Sequence, residues 1–380
     1  MKIGIITYSS AHNYGAVLQV WALQEYLQQQ GNDVEVINYR PSAVDSLYKI
    51  YKPKNWFKSA FLNKCVSNAQ YLKYKIRRPA MVKKYKKFEY FIAHDLHTTK
   101  PYYSLKELRK ENFNYDLMVA GSDQIWNGSL SGGIDPSYFL AFGAPNIKRI
   151  TYAASIGHDY LNSEDILFFK HYLNNLDAIS VREQKAKELI EGYTDQPIEV
   201  VVDPTLLLDR ESFDKIKEVP NTKGPYIYVH NVHLKRVDKC LNRVAEEVSK
   251  RLHLPIIHNR DDYHYKNELQ KFSAGSPGEF IGMISNAAYV ITNSFHATVF
   301  SLIYHRNFIT IPHFQNPYRM QYLLDVLNLP NHLIADQQFL PKEMNELDID
   351  YEKVEQLKTK LKGKSIEFLK QALDNSNKKL

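Results

Sequence analysis

Lys2-Ile-Gly-Ile-Ile-Thr-Tyr-Ser-Ser-Ala-His-Asn-Tyr-Gly15, continued by Ala16 to Gln30 and by Val34-Glu-Val-Ile-Asn-Tyr39, decides the fold class. The first run is apolar, short and closed by a polar loop. Ala16 to Gln30 places Val17, Leu18, Trp21, Leu23 and Leu27 at helical spacing and stops at Gly31. The third piece reads as a second strand, and a strand, a helix and a strand in this order imply a parallel sheet. The rhythm resumes at Asp116-Leu-Met-Val-Ala120, Arg149-Ile-Thr-Tyr-Ala-Ala154, Ala178-Ile-Ser-Val181 and Ile198-Glu-Val-Val-Val202. After Arg210 it starts afresh, with strands at Tyr226 to His230, Pro255 to His258, Tyr289 to Thr292 and Phe308 to Ile311. The reading is α/β, with two Rossmann-like parallel-sheet domains facing across a cleft. Residues 1–210 make the first, interrupted by a basic helical insertion at about 49–90, and 211–345 make the second. Residues 346–380 hold a charged amphipathic helix expected to pack back on the body.

The bulk composition agrees. The 380 residues are 44% hydrophobic and 24% charged, which suits globular domains rather than a disordered chain. Cys65 and Cys240 are the only cysteines, too few for a disulfide framework or a zinc site. The N-terminal apolar run is too short for a signal peptide, and no stretch reaches the roughly 18 apolar residues of a membrane span. A cytoplasmic location is expected.

The net charge of +7 is unevenly spread. Residues 49–87 hold thirteen Lys or Arg and no acid, which leaves the rest of the chain formally −6. Trp56, Phe57, Phe61, Tyr71, Tyr74 and Tyr85 are interleaved with them. Such a block is a solvated helical insertion with lysine stems over aromatic rings, or a contact with an anionic membrane at its inner face. Nucleic acid is not expected, because no nucleic-acid-binding motif accompanies the charge.

Ligands of open α/β sheets sit beyond the carboxyl ends of the strands, so the polar loops there are the candidate sites. His12, Asn13 and Gly15 precede a helix N-terminus, whose free N–H groups suit a phosphate or carboxylate. Gly15 lets backbone approach a ligand closely. In Gly121-Ser-Asp-Gln-Ile-Trp-Asn127, Asp123 is a sugar-hydroxyl acceptor or a helix cap, and Trp126 a stacking face or a core anchor. Ser155 and His158 end another strand. Arg182 begins a helix, where a guanidinium grips a carboxylate or phosphate, or pairs with Glu183. Asn293, Ser294 and His296 stand between a strand and a helix, and His296 there is a candidate general acid or base. His258, also at a strand end, is a weaker candidate.

Six pieces occur in order: Lys2 to Tyr8 with His12-Asn-Tyr-Gly-Ala16, Gly121 to Trp126, Tyr152-Ala-Ala-Ser-Ile-Gly157, Ile179-Ser-Val-Arg-Glu183, Val202-Asp-Pro-Thr-Leu206, and Ser285 to His296. Together, over roughly 1–330, they resemble the polysaccharide pyruvyl transferase family. The resemblance implies a GT-B-like fold and transfer of pyruvate from phosphoenolpyruvate to two hydroxyls of a sugar. The product is a cyclic ketal on a surface polysaccharide or its lipid-linked precursor. It implies His296 as the acid/base and Arg182 as the donor's grip. His158 and the Asn13 loop assist, and Asp123 and Trp126 orient the sugar. Phosphoenolpyruvate is a co-substrate, and the scheme requires no metal or other cofactor. One departure stands out. Many members carry Arg two residues before this His, where Ser294 stands here, so Arg319 or Arg260 is the candidate replacement cation. Two other readings share the fold: a GT-B glycosyltransferase using a nucleotide sugar, and a non-catalytic glycan- or membrane-binding homologue.

Overall fold

In the computed structural model the described residues are 1–48, 59–222, 224–232, 235–312, 317–335 and 338–377. The Lys49, Lys52, Lys54, Trp56, Phe57 and Lys58 part of the basic block lies outside them.

Eleven strands are described: β1 (Lys2–Ile6), β2 (Asp33–Val36), β3 (Leu117–Ala120), β4 (Lys148–Thr151), β5 (Ile179–Val181), β6 (Ile198–Val200), β7 (Ile227–His230), β8 (Ile256–His258), β9 (Glu268–Lys271), β10 (Tyr289–Thr292) and β11 (Asn307–Thr310). The first sheet is parallel in the order β2-β1-β3-β4. The β5-β6 pair continues it beyond β4 through bridges at Ile150–Ala178 and Ala154–Val181. The second sheet is parallel in the order β11-β10-β7-β8-β9. The central strands β3, β7 and β10 are buried along their whole length, as strands covered on both faces must be.

Helix α1 (Tyr14–Gln29) begins one residue after Asn13, whose side chain accepts from the Gly15 and Ala16 amides. It is buried on nearly every side, not along one stripe. The reason is its position between the halves: the Tyr14 ring stacks on Phe280 at 4.4 Å, and the Tyr14 hydroxyl donates to the Gly275 carbonyl at 3.1 Å. One apolar core therefore runs from Ile3 and Val17 of the first half to Val290 and Phe300 of the second. Separate cores cover the far face of each sheet. The helix Tyr351–Asn377 adds Val354, Phe368 and Leu369 to the shared core. It returns to the first half, where Lys148 Nζ donates to the Ala372 carbonyl at 2.9 Å.

Helix α2 (Ser42–Tyr48) leads into the insertion, which contains α3 (Ala60–Arg77) and α4 (Pro79–His94). Helix α2 is anchored by Val44 and α4 by Val82, Phe88, Phe91 and Ile92, all buried. Helix α4 touches both halves, through Glu89 to the first and through a Lys87–Glu279 ion pair to the second.

Candidate active site

The loops after β1, β3, β4 and β10 converge on a cavity of about 300 Å³ between the two sheets. Asn13, Asp123, His158, Asn293, Ser294, His296 and Arg319 line it. Residues as far apart in the chain as Asn13 and Arg319 are thus brought to one surface, as the parallel topology demands.

His296 lies in the first turn of the helix Phe295–Ile303, which Ser294 caps by accepting from the Ala297 amide. Its ring reaches across to α1. A Cβ built on Gly15 would lie 2.0 Å from His296 Nδ1. Gly15 therefore makes room for the imidazole of the other half, rather than for a ligand. On the opposite edge, His296 Nε2 stands 3.5 Å from Asp203 Oδ2.

Asp203 is the residue that the sequence reading passed over as a site. Its motif, Asp203-Pro204 after β6, was visible, but nothing local showed what the carboxylate faces. It is fully buried and accepts from Arg182 Nη1 at 2.9 Å, Ser122 Oγ at 2.9 Å and Thr205 Oγ1 at 2.7 Å. Burial alone would raise its pKa, but His296, Arg182 and the Thr205 bond outweigh burial and hold the carboxyl well below its usual range. For Arg182 burial works in the lowering sense, and the charges of Asp203, Glu183 and Asp123 overcome it and raise the pKa. Glu183 Oε2 lies 3.6 Å from Arg182 Nε, an ion pair without a hydrogen bond.

Arg182 does not line the main cavity. It sits behind Phe295, its guanidinium carbon 4.8 Å from the ring centre. Arg319 approaches the same ring at 5.9 Å and does line the cavity. Burial and the like charge of Arg182 push the Arg319 pKa down to about 10. Arg319 Nε, Arg182 Nη2 and His296 Nε2 are buried and have no hydrogen-bond partner among the described residues. Of these three residues only Arg319 and His296 line the cavity, and a cation there with an N–H that no described residue accepts suits an anion.

Asp123 lines the cavity from a left-handed backbone conformation (φ 81°), with its carboxylate accepting from the Gln124 amide at 2.8 Å. Such strain in a non-glycine residue concentrates at functional sites. His158 Nε2 contacts Asn127 Oδ1 at 2.8 Å, and Asn293 joins Asn231 at 2.9 Å.

The remaining candidates are engaged by the protein itself. Trp126 is 1% exposed, stacked on Phe139 at 5.0 Å, with its indole N–H donating to the Tyr138 carbonyl. It is a core anchor with no face left for a sugar. Ser155 is buried and donates to Glu183 at 2.6 Å, in support of the Arg182 cluster. His12 turns from the cleft to α4, where Nε2 meets Glu89 at 2.7 Å. Asn13 spends its side chain on capping α1, which occupies two of the amides expected to meet an anion. His258 is wholly buried beside Glu268 at 3.0 Å, and burial lowers its pKa. Arg260 pairs with Asp262 at 2.6 Å outside the cavity.

Two parallel α/β units closing on a cleft lined from both define a GT-B-like protein. By sequence the chain belongs to the polysaccharide pyruvyl transferase family, which it matches over residues 13–315. No curated protein matches it. Among solved structures it is similar to the spinosyn forosaminyltransferase SpnP, at 10% identity over 99% of each chain with a TM-score of 0.51. It is also similar to the UDP-GlcNAc 2-epimerase from Methanocaldococcus jannaschii, at 14% identity over 94% of this chain and 91% of that one with a TM-score of 0.44. At such identities the first likeness speaks for the fold alone.

Proposed function

We propose that the protein transfers pyruvate from phosphoenolpyruvate to two hydroxyls of a sugar in a surface polysaccharide or its lipid-linked precursor. The observation that carries this reading is Arg319, which lines the cavity with His296 beside Phe295 and whose buried Nε has no hydrogen-bond partner among the described residues. Phosphoenolpyruvate brings a phosphate and a carboxylate, both of which need such donors. Arg319 is the cation that meets the donor in the cavity and takes the place of the arginine replaced by Ser294. Arg182 is a positioning residue, since it holds Asp203, and Asp203 orients His296.

In the reaction His296 delivers a proton to the methylene carbon of the enol. A sugar hydroxyl adds to the electron-poor C2 and gives up its proton to His296, which the first step left deprotonated. The C2–O bond to phosphate then breaks, inorganic phosphate leaves, and the second hydroxyl closes the ketal with loss of its own proton. Asp123, His158 and Asn293, on the cavity wall, are placed to accept from or donate to sugar hydroxyls.

Thermal melts with phosphoenolpyruvate, UDP, GDP and CMP test the donor. A ligand at 100 times its Kd contributes about 2.7 kcal/mol and shifts the melt by a few degrees. The expected result is a shift with phosphoenolpyruvate alone, lost in Arg319→Ala. A shift with a nucleotide and none with phosphoenolpyruvate would give the donor site to a nucleotide sugar instead.

A further inference from the structure

Helix α3 shows its apolar side to water. At about 100° per residue, Phe61, Leu62, Cys65, Ala69, Leu72 and Ile76 fall in one stripe along the helix. All six are exposed, Phe61 and Ile76 by 73% each and Leu72 by 58%. The half-buried residues are Asn63, Val66, Ser67, Gln70 and Tyr71, mostly polar and mostly on the opposite side. Among the described side chains of α3 none is buried. A helix that only packs on a protein turns its apolar stripe inward. This one leaves several large hydrocarbon side chains in water along a single face.

The flanking charges select what covers the stripe. Lys64 and Lys75 border it on one side, Lys73 and Arg77 on the other, and all four are exposed. Residues 49–87 contain no acid to offset them. A second copy of the chain would set these cations against their own kind. A lipid surface rich in anionic headgroups satisfies both features: the headgroups meet the lysines, whose stems let the ammonium groups reach up, and the acyl region takes Phe61, Leu72 and Ile76.

We propose that α3 lies in the surface of an anionic bilayer and seats the protein there. It lies on the membrane and does not cross it, as no described helix is long and apolar enough to span. The neighbouring α4 then links the seat to the cleft, because Glu89 of α4 binds His12 of the first loop. This inference is independent of the donor and of the reaction.

Sedimentation of the full chain with vesicles tests it, using phosphatidylcholine alone and phosphatidylcholine mixed with phosphatidylglycerol. The wild type should bind the mixed vesicles and not the neutral ones, and salt at about 0.5 M should weaken the binding. Phe61→Ser/Leu72→Ser/Ile76→Ser changes only exposed positions, so its circular dichroism and Tm should match the wild type. Its partition coefficient should fall more than about tenfold. Lys64→Gln/Lys73→Gln/Lys75→Gln should lose the preference for phosphatidylglycerol. Absence of binding by the wild type, or binding untouched by both variants, would overturn the proposal. So would a concentration-dependent dimer in sedimentation velocity that the triple serine variant dissociates, since a second copy would then occupy the stripe.

Discussion

Gly15 and His296 meet across the cleft with no room for a methyl group between them: a Cβ on Gly15 would stand 2.0 Å from Nδ1. Gly15→Ala must push the imidazole aside, although α1 itself gains from alanine. A displacement of about 1 Å costs on the order of 10²-fold in rate. A phosphate-release assay should show that loss in kcat, with the Tm nearly unchanged. Asp203 gives a second test. Asp203→Asn leaves the buried Arg182 without its closest counter-charge, and breaking such a pair costs about 3–5 kcal/mol. Urea denaturation at neutral pH should show it. The pH dependence follows from linkage. Because its folded pKa is depressed, Asp203 contributes stability that is present above the unfolded pKa of about 3.9 and lost as pH falls below it. The asparagine variant should lack this part of the acid limb. Sequence reading named His296 from its place between a strand and a helix, and Arg319 as a replacement for the arginine that the family carries where Ser294 stands, and both line the cavity. It missed Asp203 and misplaced Trp126, because whether a polar or aromatic side chain turns to the cleft or the core depends on neighbours far along the chain.

Helix α4 is held at the cleft by unlike contacts. Its Glu89 takes His12 and Arg40, and its Lys84 ammonium lies 4.7 Å from the centre of the Tyr14 ring and 5.5 Å from that of Phe88. Burial pushes the Lys84 pKa down to about 8. The unfolded chain, with lysine near 10.4, binds more protons between these values, so stability rises with pH across that window. Lys84→Met should raise the Tm at pH 7. Its advantage over the wild type should narrow between pH 8 and 10, as differential scanning fluorimetry can follow. A constant advantage would mean that Lys84 keeps its charge in the fold. The periodicity of α1 was legible, but its burial on all sides was not: the covering surface comes from Phe280, Gly275 and the Asp203 turn, all beyond residue 200.

Across the whole molecule the two sheets share one apolar core, closed by the Tyr351–Asn377 helix. Halves joined in this way should unfold together. Tryptophan fluorescence and far-ultraviolet circular dichroism should give coincident single transitions in urea. Two separated transitions would mean that each half stands by its own outer core. Removal of residues 351–380 exposes Tyr152, Val201 and their neighbours in the shared core, and should lower the urea midpoint markedly.

The order of apolar runs and polar loops, by itself, determined the two parallel α/β units, and the charges the basic insertion, since a strand's alternation with a helix and the loop that follows it are local properties of the chain; the family came from the resemblance of six motifs in order. Only the tertiary structure decided that Gly15 yields its space to His296, that Asp203 faces the imidazole, that two arginines gather at Phe295, and that α3 turns its apolar side outward. Each of these is a contact, or the want of one, between segments that the sequence keeps apart, and the direction of a side chain is set by what packs around it.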